Sequence, residues 1–463
     1  MFQNVRKLVL CTYRSFFTIK KSPIYLHMSK KALKTIDCQA IDFNKILATI
    51  LEAEKEEKSL IWMIPSENSI SRFAKLASSS GGQNRYLFKY YTKDNEYQFG
   101  TKKYNDLAEY CIEMLQKLLN AKYVSLAPLS GMNAMSMVIG SFTSRDGTTF
   151  GIPVKCGGHT HTKHIVDFMG RVYREIPFRD YKGWYDVDSR QLSKDIISEN
   201  IGDVLIYLDP MTYPYTFNLK AIRKFVPKES FLYYDISHVM GLIAGGVYDN
   251  PLENGFDAIG GSLHKTFPGV QKAIFLTNEE EHFNCFKNKG EQLVSSKHTH
   301  SIVALAITLA EIEGKVEKYA KNIIKNNNAL HQQLCQYGFS FYGKDSSLYD
   351  GHILLLKRNN LAQSIDDANK LYQAGLVVHP MLMPVGNKIA AGIRLGVQEC
   401  TVLGMGVDDM VKIADIFHNV LNINADTKKI KKESEKLLEY RRFPKFSNLN
   451  SQKFDELFHT IFY

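Results

Sequence analysis

The chain has little cysteine and no long apolar run. Seven cysteines among 463 residues (Cys11, Cys38, Cys111, Cys156, Cys285, Cys335 and Cys400) are scattered, odd in number and without a C-x-x-C pair. That argues against a disulfide framework or a structural zinc and for a reducing compartment. No stretch approaches the ~20 uninterrupted apolar residues that a membrane span needs, and there is no internal repeat or low-complexity tract. Acid is missing altogether from residues 1–36, where Arg6, Lys7, Arg14, Lys20, Lys21, Lys30, Lys31 and Lys34 stand before the first carboxylate, Asp37. The formal charge of +10 therefore sits mostly in this segment and leaves the rest nearly balanced.

What is present reads as a globular protein. Hydrophobic residues make up 44% and charged residues 23%, which excludes whole-chain disorder, and the length suits two or three domains. The acid-free leader has the composition of a mitochondrial transit peptide, so the expected address is the mitochondrial matrix. The alternatives are a disordered arm on a cytoplasmic protein, or a secretory signal, for which the leader lacks a clean apolar h-region. No nucleic-acid motif accompanies the basic total.

Periodicity predicts helices over 43–58 and 105–120. From there to about 280, short apolar runs at 123–127, 148–154, 204–208, 231–235, 258–260 and 273–276 alternate with helical stretches. This pattern predicts an α/β fold with a mostly parallel central sheet sandwiched by helices. A long helix from 302 to the end of the 320s, strands at 339–341, 352–357 and 392–396, and a charge-laced helix over 428–442 predict a smaller α+β C-terminal domain. The expected division is 1–36 leader, 37–65 N-terminal arm and helix, 66–315 large domain and 316–463 small domain.

Ligands of open parallel sheets bind beyond the carboxyl ends of the strands. Two such ends carry chemistry. One strand runs into Asp235, followed by His238 and a glycine-rich turn; the other runs through Ser262 into His264-Lys265-Thr266. A lysine at a strand end with an acid on a neighbouring strand is what pyridoxal phosphate requires, the lysine for a Schiff base and the carboxylate for the pyridine nitrogen. The bland reading is a surface lysine and a helix cap. Ser262-x-x-Lys265 also fits the S-x-x-K of penicillin-recognising hydrolases, but no S-D-N or K-T-G follows. Ser130-Gly131 opens a helix whose N-terminus suits a phosphate. The histidines at 159, 161 and 164 have metal-like spacing without a completing acid or cysteine, so no metal is expected. Arg394, a lone charge in an apolar strand, suits either a forked grip on a carboxylate or a buried ion pair.

Together these segments resemble the serine hydroxymethyltransferase family, fold-type I pyridoxal phosphate enzymes that exchange serine and glycine with tetrahydrofolate. The resemblance runs from about Ser59 to the 410s and keeps the order I-P-S-E-N-S (64–69), N-R-Y (84–86), S-G (130–131) and G-G-H (157–159). It continues through Y-D-I-S-H-V-M-G-L-I-A-G-G (234–246), H-K-T-F-P-G-V-Q (264–271), H-T-H (298–300) and G-I-R-L-G-V-Q-E (392–399). It implies Lys265 as the Schiff-base lysine, Asp235 on the pyridine nitrogen, His159 stacked on the ring and His238 beside the cofactor as a catalytic residue. It also implies Ser130, Gly131 and Ser262 around the cofactor, and Ser66 and Arg394 on the substrate carboxylate. Tyr86 would reach a neighbouring subunit's cofactor, in a homodimer or homotetramer.

The departures are concentrated. Where the family follows N-[KR]-Y with a proton-transferring glutamate, this chain has Leu87-Phe88-Lys89, and after an insertion of about three residues the active-site tyrosine is replaced by Phe99. A phenyl ring moves no proton, and general acid-base help is typically worth about 100- to 10,000-fold. Glu67 and Glu96 are the acids in the vicinity that could substitute. The family's G-G-S reads Leu208-Asp209-Pro210. The expected activity is therefore serine–glycine interconversion with tetrahydrofolate, in weakened form. The alternatives are a catalytically degenerate member acting as partner or regulator, and a folate-independent pyridoxal aldolase.

Overall fold

Runs such as Val204–Leu208 are apolar at every position, so both faces must be covered, and the computed structural model shows how. It describes residues 42–87, 89–91, 96–181, 184–198, 202–343, 349–385, 388–441, 444, 446 and 451–463. The acid-free leader and Phe88 lie outside these. The chain divides into two units, 1–55 and 56–463. The helix Phe43–Glu57 carries the described part of the first and buries none of its residues; all that follows concerns the second.

Seven strands form the main sheet: β1 (Tyr123–Ser125), β2 (Thr148–Gly151), β3 (Val172–Glu175), β4 (Val204–Leu208), β5 (Phe231–Asp235), β6 (Ala258–Ser262) and β7 (Ala273–Thr277). Their order is β1-β7-β6-β5-β4-β2-β3. Only β7 runs against the others, pairing antiparallel with β6 and β1. Successive side chains of a strand point to opposite faces, and the core divides accordingly. Leu205, Tyr207, Tyr233 and Phe275 pack in one cluster, and Ile206, Leu208, Leu232, Tyr234 and Leu276 in the other.

A second sheet holds β8 (Ile353–Arg358), β9 (His379–Val385) and β10 (Lys388–Gly396), antiparallel with β10 in the middle. Its central position buries Arg394, which pairs with Leu355 on one side and His379 on the other.

Several expectations need correction. The long helix is two, Thr299–Ile312 and Val316–Gln336, because Gly314 between them takes a left-handed φ of 69°, a conformation that ends helices. Residues 339–341 form no strand: Phe341 makes one isolated bridge to Leu356. The strand predicted at 392–396 begins at Lys388. The sequence reading missed β3, β9, the hairpin of Phe178–Tyr181 with Trp184–Val187, and the helix Ser451–Phe462.

Candidate active site

The carboxyl ends of β4, β5 and β6 open into a cavity of ≈ 890 Å³, and the residues around it include Ser130, Gly131, His159, Asp235, His238, Ser262 and Lys265. Strand order explains the assembly. Asp235 ends β5, Ser262 ends β6 beside it, and the loop after β6 brings Lys265 back over the strand ends. Gly261 must be glycine here. It has φ 127°, and a Cβ would meet Ser237 Oγ at 2.3 Å and Asp235 Oδ1 at 2.5 Å.

Asp235 is held by two donors, the Ser237 amide on Oδ1 at 2.9 Å and the Tyr207 hydroxyl on Oδ2 at 3.3 Å. On the cavity's other side the helix Gly131–Phe142 begins. Its cap, Ser130, accepts from the Asn133 amide, while Asn133 Oδ1 accepts from the Leu129 amide at 2.9 Å. A Cβ on Gly131 would lie 2.5 Å from Ser262 Oγ. A bare helix N-terminus with two hydroxyls beside it is a cradle for a phosphate-sized anion.

Lys265 Nζ lies 3.3 Å from His238 Nε2. Burial lowers the ammonium pKa to about 8, against the opposing pull of Asp235, so a useful fraction is neutral amine near neutral pH, the form that attacks a carbonyl. The backbone of this lysine is clamped, because Asn68 Nδ2 donates to Lys265 O at 2.6 Å and the Tyr319 hydroxyl donates to the adjoining Thr266 O at 3.0 Å.

Arg394 approaches from the second sheet. It is 2% exposed, and its Nη2 lies 3.2 Å from the same His238 Nε2. Its Nε has no partner, and among the described residues no carboxylate pairs with it. Burial holds the guanidinium down to about 9. The buried-ion-pair reading of this arginine therefore finds no acid; it is a forked donor without an anion partner, set against the cavity-lining His238 and not itself among the lining residues.

The imidazoles are kept neutral. Burial, then Lys265, lowers His159 to about 4, and burial lowers His352 to about 3; His238 is driven well below its ordinary range by burial and the cations beside it. His352 Nε2 is 3.1 Å from Pro65 O and 3.4 Å from His238 Nδ1, which ties His238 to the I-P-S-E-N-S segment. That segment is itself fastened to G-V-Q-E: Gln398 Nε2 donates to Ile64 O and Glu67 O, both at 2.7 Å, and Ser69 Oγ donates to Glu399 Oε1 at 2.6 Å.

Not every expected residue lines the cavity. Ser66 is half-buried and its neighbours Glu67 and Asn68 line the cavity instead. Tyr86 is 46% exposed and Phe99 69% exposed, the latter ring packed on Tyr90 and Tyr97. The two acids considered as substitutes separate: Glu67 lines the cavity with its pKa raised by burial, whereas Glu96 lies 3.7 Å from Lys89 in a strand outside it. The three histidines with metal-like spacing do not form a metal site; among the described residues no group of three His, Cys, Asp or Glu could hold an ion. The sequence reading gave no role to His352 or to Asp209, which lines the cavity. Asp209 is the first residue after a fully buried strand, the signal by which Asp235 was found.

The serine hydroxymethyltransferase family model matches residues 41–417. The serine hydroxymethyltransferase of Korarchaeum cryptofilum is 30% identical over 88% of this chain and 96% of its own length. The L-threonine:uridine-5'-aldehyde transaldolase of a Streptomyces species is 29% identical over 80% of this chain and 87% of its own. The solved structure of L-threonine transaldolase from Pseudomonas fluorescens shares the fold with a TM-score of 0.81, at 21% identity, covering 90% of this chain and 97% of that one. With a fold, a motif order and a family model that agree over most of its length, the chain belongs to the serine hydroxymethyltransferase family.

Proposed function

We propose that the chain binds pyridoxal 5'-phosphate at Lys265 and interconverts serine and glycine, with the tetrahydrofolate-dependent step slowed. The observation that carries this reading is the convergence of Lys265 Nζ and Arg394 Nη2 on one nitrogen of His238, at 3.3 and 3.2 Å. A nucleophilic amine and a guanidinium without a carboxylate partner thus meet at one imidazole nitrogen, a pair suited to an amino acid's two ends. Ser130, Gly131 and Ser262 would take the phosphate, Asp235 the pyridine nitrogen, and His159 the ring face.

When bound, the cofactor supplies an electron sink for a bond broken at the substrate's α-carbon. The chain's own residues do the rest. Arg394 fixes the carboxylate and so orients the α-carbon; neutral His238 offers Nε2 to Lys265 and Arg394 without adding charge. Burial poises the Lys265 amine to accept a proton near neutral pH. At the position where the family places its proton-shuttling glutamate the sequence has Phe88, so the proton on the substrate hydroxyl has no such acceptor there, and folate-linked turnover falls.

A second reading, a folate-independent aldolase or transaldolase acting on β-hydroxy amino acids, is favoured by the likeness to the Streptomyces transaldolase together with Phe88 and Phe99. Both readings keep the substrates small molecules, and we propose the basic leader as a mitochondrial address. The deciding experiment assays the purified protein on serine with and without tetrahydrofolate, and on threonine with and without an acceptor aldehyde. Folate-stimulated glycine formation supports the first reading and folate-indifferent cleavage the second. Cofactor binding without turnover of any substrate overturns both and leaves a partner or regulator.

A further inference from the structure

Asp209 is a second carboxyl group in the cavity. In the sheet Leu208 pairs with Tyr234, so the next residues, Asp209 and Asp235, stand abreast at the ends of adjacent parallel strands, with side chains on the same face and backbones about 4.8 Å apart. Asp209 is 4% exposed. The Thr162 hydroxyl donates to its Oδ2, while its Oδ1 is buried without any partner.

An unsatisfied buried oxygen is costly, and two abreast carboxylates cannot both hold charge cheaply. Burial and the neighbouring Asp235, opposed by the Thr162 hydroxyl, push the Asp209 pKa well up and favour the protonated carboxyl. Oδ2 already accepts from Thr162, so a carboxyl proton bonds outward from Oδ1, which has no side-chain partner. The groups that face it from the packed elements are Tyr207 on β4, Asp235 on β5, Tyr173 on β3, and Thr162 with the His159 backbone beyond β2. Tyr207 already gives its hydroxyl proton to Asp235, and among the described residues no free acceptor meets Oδ1.

We propose that Asp209 is a cofactor-contacting residue whose protonated carboxyl donates a hydrogen bond from Oδ1 to the phenolic oxygen of the bound pyridoxal, the ring acceptor other than the nitrogen held by Asp235. This rests on the pyridoxal reading above. It distinguishes the chain from the family pattern, in which the corresponding position is the glycine of G-G-S and offers no side chain to the ring.

The test titrates pyridoxal 5'-phosphate into the cofactor-stripped full chain and follows the visible absorbance and the quenching of intrinsic fluorescence, for wild type, Asp209→Gly and Asp209→Asn. Asp209→Gly should bind about tenfold more weakly, the loss of one hydrogen bond, with a displaced visible band. Asp209→Asn keeps an acceptor for Thr162 and a donor for the ring and should stay within about threefold of wild type. Wild-type affinity should weaken as pH rises and Asp209 ionises, while that of Asp209→Asn stays more nearly flat. Circular dichroism melts check that each variant is folded. Asp209→Gly with wild-type affinity and band overturns the inference, as does a folded Asp209→Asn that binds as weakly as Asp209→Gly. A wild-type chain that takes up no pyridoxal phosphate overturns the cofactor reading, and this inference with it.

Discussion

Replacing Arg394 with methionine should leave the substrate-free protein no less stable while abolishing its response to amino acids. The side chain is 2% exposed and touches only His238 among polar neighbours that the structure records. Holding the guanidinium down to about 9 corresponds to a penalty of roughly 5 kcal/mol at 1.36 kcal/mol per tenfold, an upper figure because a protein relaxes around a buried charge. Methionine fills similar volume without charge, and exchanging an uncompensated buried ion for an apolar group is neutral to stabilising. A substrate carboxylate relieves the penalty in wild type. Glycine at about 100 times its Kd should therefore raise wild-type stability by about 2.7 kcal/mol and leave Arg394→Met unmoved. Calorimetric melts of the cofactor-loaded proteins, with and without glycine, give both numbers. The reasoning is refuted if Arg394→Met unfolds several kcal/mol more easily than wild type without ligand, or if glycine stabilises the two alike.

Three other outcomes are expected. Gly241→Ala would put a Cβ 2.3 Å from Thr266 O and force apart the turn that carries Lys265, which should cost about 1–3 kcal/mol in denaturant melts and weaken cofactor retention. Lys272 is 1% exposed, donates to the carbonyl oxygens of Lys297 at 2.9 Å and Pro128 at 3.4 Å, and is lowered by burial to about 7. The unfolded chain then binds the extra proton above pH 7, so stability rises with pH, and wild type should gain about 2 kcal/mol more than Lys272→Met between pH 7 and 9. Restoring the acid with Phe88→Glu should raise tetrahydrofolate-dependent serine cleavage by about 100-fold or more; an unchanged rate would show that the loss at this position does not limit turnover.

Much of the fold was legible because parallel strands buried on both faces leave a continuous apolar trace, as Val204–Leu208 and Phe231–Asp235 do. Edge elements escaped for the converse reason: the Val172–Glu175 strand ends in two charged residues and is nowhere fully buried, so no apolar run announces it. The break in the long helix was written in Glu313-Gly314, but flanking helical periodicity on both sides outweighed one glycine. In the site, Lys265, Asp235 and His238 were readable from strand-end position and motif. The approach of Arg394 to His238 was not, since 156 residues separate them and only the docking of the second sheet joins them. His352 was hidden similarly, its partners Pro65 and His238 lying on distant segments. Asp209 was visible as a departure, and its meaning needed the register that stands it beside Asp235.

The central claim is that Lys265 holds pyridoxal phosphate in this cavity, and the visible spectrum of the purified full chain tests it most directly. Wild type supplied with the cofactor should show the absorbance of lysine-bound pyridoxal, and Lys265→Ala should lack it while remaining folded. No such band in wild type with excess cofactor, or an undiminished one in Lys265→Ala, would contradict the account.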